Sequence, residues 1–177
     1  MPRSVSLMPP MAARWAKKVI RQDFAGTEFP FISLNPEFCW TPGFQWRERK
    51  LRKVLTCIAY EKFEGRYLDA MKYLAKRMAC IEMVPYHSQN FNGYGIVKEL
   101  PSAKAAREYV SKVLVPKARR GEIKIIATRK VVDWALPKDC KHVVRYQGGL
   151  TRSAPMGPST PGGTAILKRL GIKVSWG

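Results

Sequence analysis

Residues 47–83 read RERKLRKVLTCIAYEKFEGRYLDAMKYLAKRMACIEM, and this stretch decides the fold. Leu51, Val54, Leu55 and Ile58 recur at helical spacing and share one stripe. Leu68, Met71, Leu74, Ala75, Met78 and Ile81 form a second stripe. Gly65, between them, is a natural turn or C-cap residue. The spacing predicts a helical hairpin with helices over 47–63 and 66–83, the second ended by Pro85.

Downstream, residues 86–101 form a polar, glycine-containing connection. Ser102 is an N-cap candidate for a helix over 103–115 with Ala106, Tyr109, Val110, Val113 and Leu114 on its apolar face. Pro116 and Gly121 are expected to end it. Residues 122–128 (EIKIIAT) predict a strand, and 130–134 and 142–146 add two candidates. Residues 147–163 (QGGLTRSAPMGPSTPGG) have loop chemistry, and 165–176 regain a helical pattern with Ile166, Leu167, Leu170 and Trp176 to dock it.

Upstream, residues 24–46 hold seven Phe or Trp, with Pro30, Pro36 and Pro42 at six-residue intervals. Proline at that density opposes a long helix, so an extended arm is expected. One reading inserts Phe29, Phe31, Phe38, Trp40 and Trp46 into a neighbouring protein as buried aromatic anchors. The other wraps them on the chain's own helices. The expected fold class is thus mostly α with a small β element (α+β), a helical hairpin core with long extended N- and C-terminal arms. It divides into a basic amphipathic helix and aromatic arm over 1–46, a small helical core with short strands over 47–146, and a Gly/Pro-rich basic tail over 147–177.

Charge speaks to the partner. The chain carries 32 Lys/Arg against 13 Asp/Glu, a formal +19. All the acids lie within residues 23–139, so both ends are purely cationic. Such a chain repels itself and favours contact with a polyanion, most simply RNA. The candidate RNA contacts are Arg14, Lys17, Lys18 and Arg21 near the N-terminus, then Arg47, Arg49, Lys50, Arg52 and Lys53 at the predicted start of the first core helix. Lys117, Arg119, Arg120, Arg129, Lys130, Arg152, Lys168 and Arg169 complete the set. Cations near a helix C-terminus suit its dipole, which accounts for 117–120 without a ligand. At a helix N-terminus the dipole disfavours them, so the 47–53 cluster calls for an external anion. Tyr86, Phe91 and Tyr94 in the polar connection are further stacking candidates for unpaired bases.

Met11, Trp15 and Val19 oppose Arg14, Lys17, Lys18 and Arg21 on an acid-free amphipathic helix, the profile of a mitochondrial presequence. The same pattern also describes a basic helix that docks on RNA or on a partner. Apolar runs are far shorter than a bilayer requires, so no transmembrane segment is expected.

Chemistry is harder to find. The four cysteines, at 39, 57, 80 and 140, lack zinc-site spacing, and His87 and His142 do not complete a set. Reduced thiols are expected. Asp139, Cys140 and His142 are neighbours in sequence, whereas nucleophile and base usually come from distant segments. Gly93–Gly95, Gly148–Gly149 and Gly162–Gly163 lack the context of a phosphate loop. No enzyme, cofactor, metal or small-molecule substrate is expected.

Ala59–Tyr60, Gly65, Tyr67 and Asp69–Ala70 resemble the centre of a tetratricopeptide repeat, in a single copy, which implies a helical hairpin. More broadly, the small helical core, aromatic arm and cationic ends resemble mitochondrial ribosomal proteins as a type. That resemblance implies a heteromeric assembly in the mitochondrial matrix, with rRNA and neighbouring ribosomal proteins as partners. The alternative is an accessory subunit of a mitochondrial respiratory-type membrane complex, its basic surface set against proteins and anionic head groups.

Overall fold

Thr41 and Pro42 set the start of the central helix. The computed structural model describes residue 29, residues 31–83 and residues 97–173, and in it α1 spans Pro42–Phe63. Pro42 sits in the first turn, where a missing N–H leaves no bond unmade and a fixed φ suits the helix. The Thr41 hydroxyl accepts from the Phe44 N–H at 3.2 Å and donates to the Phe38 carbonyl at 2.8 Å. Upstream, 3-10 turns cover Ile32–Leu34 and Pro36–Phe38, the second capped by Asn35, whose side-chain oxygen accepts from the Glu37 N–H at 3.0 Å. The expected extended arm is therefore helical over much of its described part. Pro36 and Pro42 start turns instead of barring them, because each occupies a position that needs no backbone donor.

α1 reverses at Glu64 and Gly65, with φ of 51° and 84°, and the Gly65 N–H reaches back to the Ala59 carbonyl at 3.0 Å. α2 then runs Tyr67–Ala75, shorter than the expected 66–83. Its buried face is Ala70, Met71, Leu74 and Ala75, in one core with Leu51, Val54, Leu55 and Ile58 of α1. Leu68 stands about a quarter turn from the centre of that face and is exposed. Beyond α2, Met83 leaves this core and is buried with Val97 and Ala103 in a small second cluster.

α3 (Pro101–Tyr109) continues through a π-helical turn (Val110–Leu114) into α4 (Val115–Arg119). Pro116 does not end the helix as expected. It has no N–H for the carbonyl four residues back, and the ladder ahead of it widens, with the Val115 N–H bonded to the Val110 carbonyl.

β1 (Ile125–Ala127) and β2 (Val143–Arg145) form a two-stranded parallel sheet, Ile125 opposite Val143. Parallel pairing forces residues 128–142 off the sheet. The third strand expected over 130–134 is accordingly a run of bends and turns, with positive φ at Lys130 and Ala135 and Val132 almost fully exposed. The result is mostly helical with one small sheet, the fold class predicted.

The C-terminal segment packs on this hairpin. α5 covers Leu150–Ser153 and α6 covers Pro161–Arg169. Thr160–Pro161 repeats the Thr41–Pro42 device, the Thr160 hydroxyl accepting from the Gly163 N–H at 3.2 Å. Tyr146, Met156, Ile166, Leu167 and Ile172 share the core of α1 and α2, so residues 147–173 fold back on the hairpin instead of extending from it. Tyr146 is fully buried, and its hydroxyl accepts from the Gly162 N–H at 3.1 Å while donating to the Pro155 carbonyl. A Cβ on Gly162 would stand 2.6 Å from that hydroxyl, and one on Gly163 would stand 1.9 Å from the Gly157 carbonyl oxygen. Close packing explains this glycine pair.

Gly163→Ala should therefore destabilise the protein by about 2–3 kcal/mol or more, since backbone must move to admit the methyl. Gly43, in the first turn of α1, has open space where a Cβ would stand, so Gly43→Ala should instead stabilise by about 0.5–1 kcal/mol. Denaturant midpoints of the two variants check the contrast.

Candidate nucleic-acid interface

The early start of α1 changes how its cationic cluster reads. Arg47 is the sixth residue of the helix, beyond the first turn, where the dipole no longer acts strongly. The dipole argument for an external anion therefore lapses. What decides is which of these cations the protein itself employs.

Several are employed. Arg47 pairs with Glu82 at 2.8 Å and lies 4.7 Å from the Trp46 ring centroid and 5.9 Å from that of Phe31. Arg52 makes a two-pronged contact with Glu48, at 3.0 and 2.8 Å, and Glu48 also accepts from the Tyr67 hydroxyl at 2.7 Å. Lys50 donates to the Ser153 carbonyl, and Arg129 donates to the Arg152 carbonyl at 3.3 Å. Those carbonyls belong to the end of α5, so two cations satisfy groups that a helix terminus leaves open. Arg119 faces Asp139 at 3.3 Å, Arg120 pairs with Glu122, and Arg169 donates to the Glu122 carbonyl.

These contacts gather clusters far apart in sequence. Lys50 and Arg129 both meet the α5 end, and Arg169 meets the Glu122 carbonyl. Arg49, Lys53, Lys117, Arg152 and Lys168 are left exposed, with no carboxylate at ion-pair distance among the described residues. Arg49 and Lys53, four residues apart, project from the same face of α1. Lys130 is also exposed. Arg14, Lys17, Lys18 and Arg21, like the stacking candidates Tyr86, Phe91 and Tyr94, lie outside the described residues.

The aromatic anchors divide. Phe29, Phe31 and Phe38 are buried within this chain, together with Phe44. Trp40 is half-buried with its indole N–H lacking a partner. Trp46 remains 40% exposed between Arg47 and Lys50, whose ammonium is 5.5 Å from its ring centroid.

Sequence reasoning missed a second cationic group, around Tyr73 on α2. The Arg77 guanidinium is 3.8 Å from the Tyr73 ring centroid and the Lys62 ammonium 5.9 Å, with Phe63 edge-on to the same ring. The Tyr73–Arg77 spacing of four residues was the available signal. Phe63, Tyr73 and Arg77, with Arg66, Asp69, Lys72 and Lys76, line a shallow groove of about 450 Å³. Asp139 and Cys140, in turn, have structural surroundings: the carboxylate faces Arg119 and the thiol is buried beside Ala118 and Val143. All four cysteines are free. Among the described residues no helix is long and apolar enough to cross a membrane.

The Arg52 contact holds the Glu48 carboxyl below the ordinary carboxylate range, and burial together with the bond to Glu48 pushes the Tyr67 phenol up. A carboxylate with a depressed folded-state pKa stabilises the fold above its unfolded-state pKa and loses that contribution as pH falls through the folded value. Glu48→Gln should therefore lower the unfolding free energy by about 1 kcal/mol at neutral pH. The gap to the wild type should close on acidification below about pH 4, in a pH series of denaturant midpoints.

No family model matches this chain, and neither does any curated protein or solved structure.

Proposed function

We propose that this chain is a structural protein of the mitochondrial ribosome, placed in the matrix, which binds rRNA phosphates with its basic surface and neighbouring ribosomal proteins with the part of its aromatic arm that its own core does not bury, Trp40. It acts by binding, without catalysis or a cofactor. The observation that carries this reading is the set of cations left over once internal contacts are assigned. Arg49, Lys53, Lys117, Arg152 and Lys168 face solvent with no carboxylate at ion-pair distance among the described residues, in a chain with a net charge of +19. A free protein gains nothing from such uncompensated charge, whereas a polyphosphate neutralises it and releases counterions on binding. Phosphate contacts of this kind position a protein without reading sequence, which suits a scaffold role.

The ion-pair assignment selects the test. Arg47 and Arg52 support the chain's own structure, so the informative variant reverses Arg49, Lys53 and Arg152 to Glu. It should keep the wild-type melting temperature within a few degrees and fall about tenfold or more in its incorporation into ribosomal particles, judged by cofractionation of a tagged copy. Normal incorporation would remove these residues from the RNA contact.

A further inference from the structure

α1 turns to solvent one face that no other described element covers. At about 100° per residue, Trp46, Arg49, Lys53 and Tyr60 fall within a narrow stripe opposite the buried Leu51, Leu55 and Ile58. Tyr60 is 75% exposed, Trp46 is 40% exposed, and Arg49 and Lys53 have no carboxylate at ion-pair distance among the described residues. The stripe therefore sets two cations between two planar rings. Arg47 and Lys50 lie over the Trp46 ring, 4.7 and 5.5 Å from its centroid, and Lys50 is also anchored to the Ser153 carbonyl.

We infer that this face of α1 binds an unpaired segment of RNA, with bases stacked on Trp46 and Tyr60 and phosphates held by Arg49 and Lys53. The inference rests on the proposed RNA-bound role and adds the form of RNA and the residues that receive it. Cations alone would serve a duplex backbone or an acidic protein equally well. Two exposed rings flanking them favour unstacked bases, because every base presents a π face and a duplex hides it. Trp46 and Tyr60 lie about 21 Å apart along the helix axis at 1.5 Å per residue, so the two rings meet different nucleotides.

The test uses the full-length protein with short oligouridylate, an RNA duplex of equal length and polyglutamate as probes. Trp46→Ala and Tyr60→Ala should each weaken oligouridylate binding between about fivefold and about a hundredfold while leaving duplex binding unchanged. Arg49→Gln with Lys53→Gln should flatten the salt dependence of oligouridylate affinity by about 1.4, the share of two phosphates on a single strand. Tyr60→Ala alone decides the matter if Trp46→Ala does not fold, since Tyr60 is largely solvent-exposed. Ring variants that bind oligouridylate like the wild type, or that lose both RNA forms equally, overturn the inference. Polyglutamate that displaces oligouridylate from wild-type and ring-variant protein alike also overturns it, in favour of an acidic protein partner. Cofractionation of the same variants separates the two claims. Loss of single-strand binding with no ribosomal association in the wild type would sink the ribosomal role and keep this surface. Ribosomal association with ring variants unaffected on oligouridylate would do the reverse.

Discussion

Leu51, Val54, Leu55 and Ile58, each at or below 1% exposure, form the face of α1 on which the rest of the chain is assembled. Burying four such side chains contributes roughly 6–12 kcal/mol, comparable with the whole net stability of an ordinary domain. α2 covers one side of that face through Ala70, Met71, Leu74 and Ala75, and Phe29, Phe31 and Leu34 come from upstream. Ile166, Leu167 and Ile172 come from the far end of the sequence. The opposite face of α1 is left to the cations, and this division gives the protein its two-sided character.

Holding the C-terminal segment on that core has a direct bearing on the charged surface. Tyr146, Gly162 and Gly163 lock the start of α6 by close contact. With the segment in place, Lys50 and Arg129 meet the last carbonyls of α5, and Arg169 meets the carbonyl of Glu122. Basic groups spread over more than a hundred residues of sequence are thereby distributed over one folded body. Several are consumed in this task, which leaves a smaller, identifiable set for an external partner.

Much of the fold was legible. The three- and four-residue recurrence in α1 and the Gly65 turn follow from local periodicity, and so do the hairpin and the helical class. Three features were not. Thr41–Pro42 and Thr160–Pro161 carry a cap and a helix-starting proline, yet proline density alone reads as extended chain. The helix passes Pro116 because a π turn absorbs the missing donor, an adjustment invisible to a propensity argument. The turns over 130–135 follow from the parallel partnership of β1 with β2, a long-range choice that the valines at 131 and 132 do not encode. At the site, the sequence supplied the clusters but not their sorting. Arg52 pairs with Glu48 four residues away on the same helix, a spacing the sequence shows, whereas only a tertiary contact pairs Arg47 with Glu82. The aromatic residues divided for the same reason: Phe31 fills the core and Trp46, on the far side of the boundary, stays half out.

On the proposed function, the uncompensated charge meets ribosomal RNA in mitochondria. This is tested most directly by sedimentation of the tagged native protein from detergent-solubilised mitochondria, with and without EDTA and RNase. Co-migration is expected with ribosomal particles that separate into subunits in EDTA, the protein remaining with one of them, and that collapse with RNase. Migration unchanged by either treatment and alongside respiratory complexes would contradict it, and would assign the positive surface to proteins or lipid head groups.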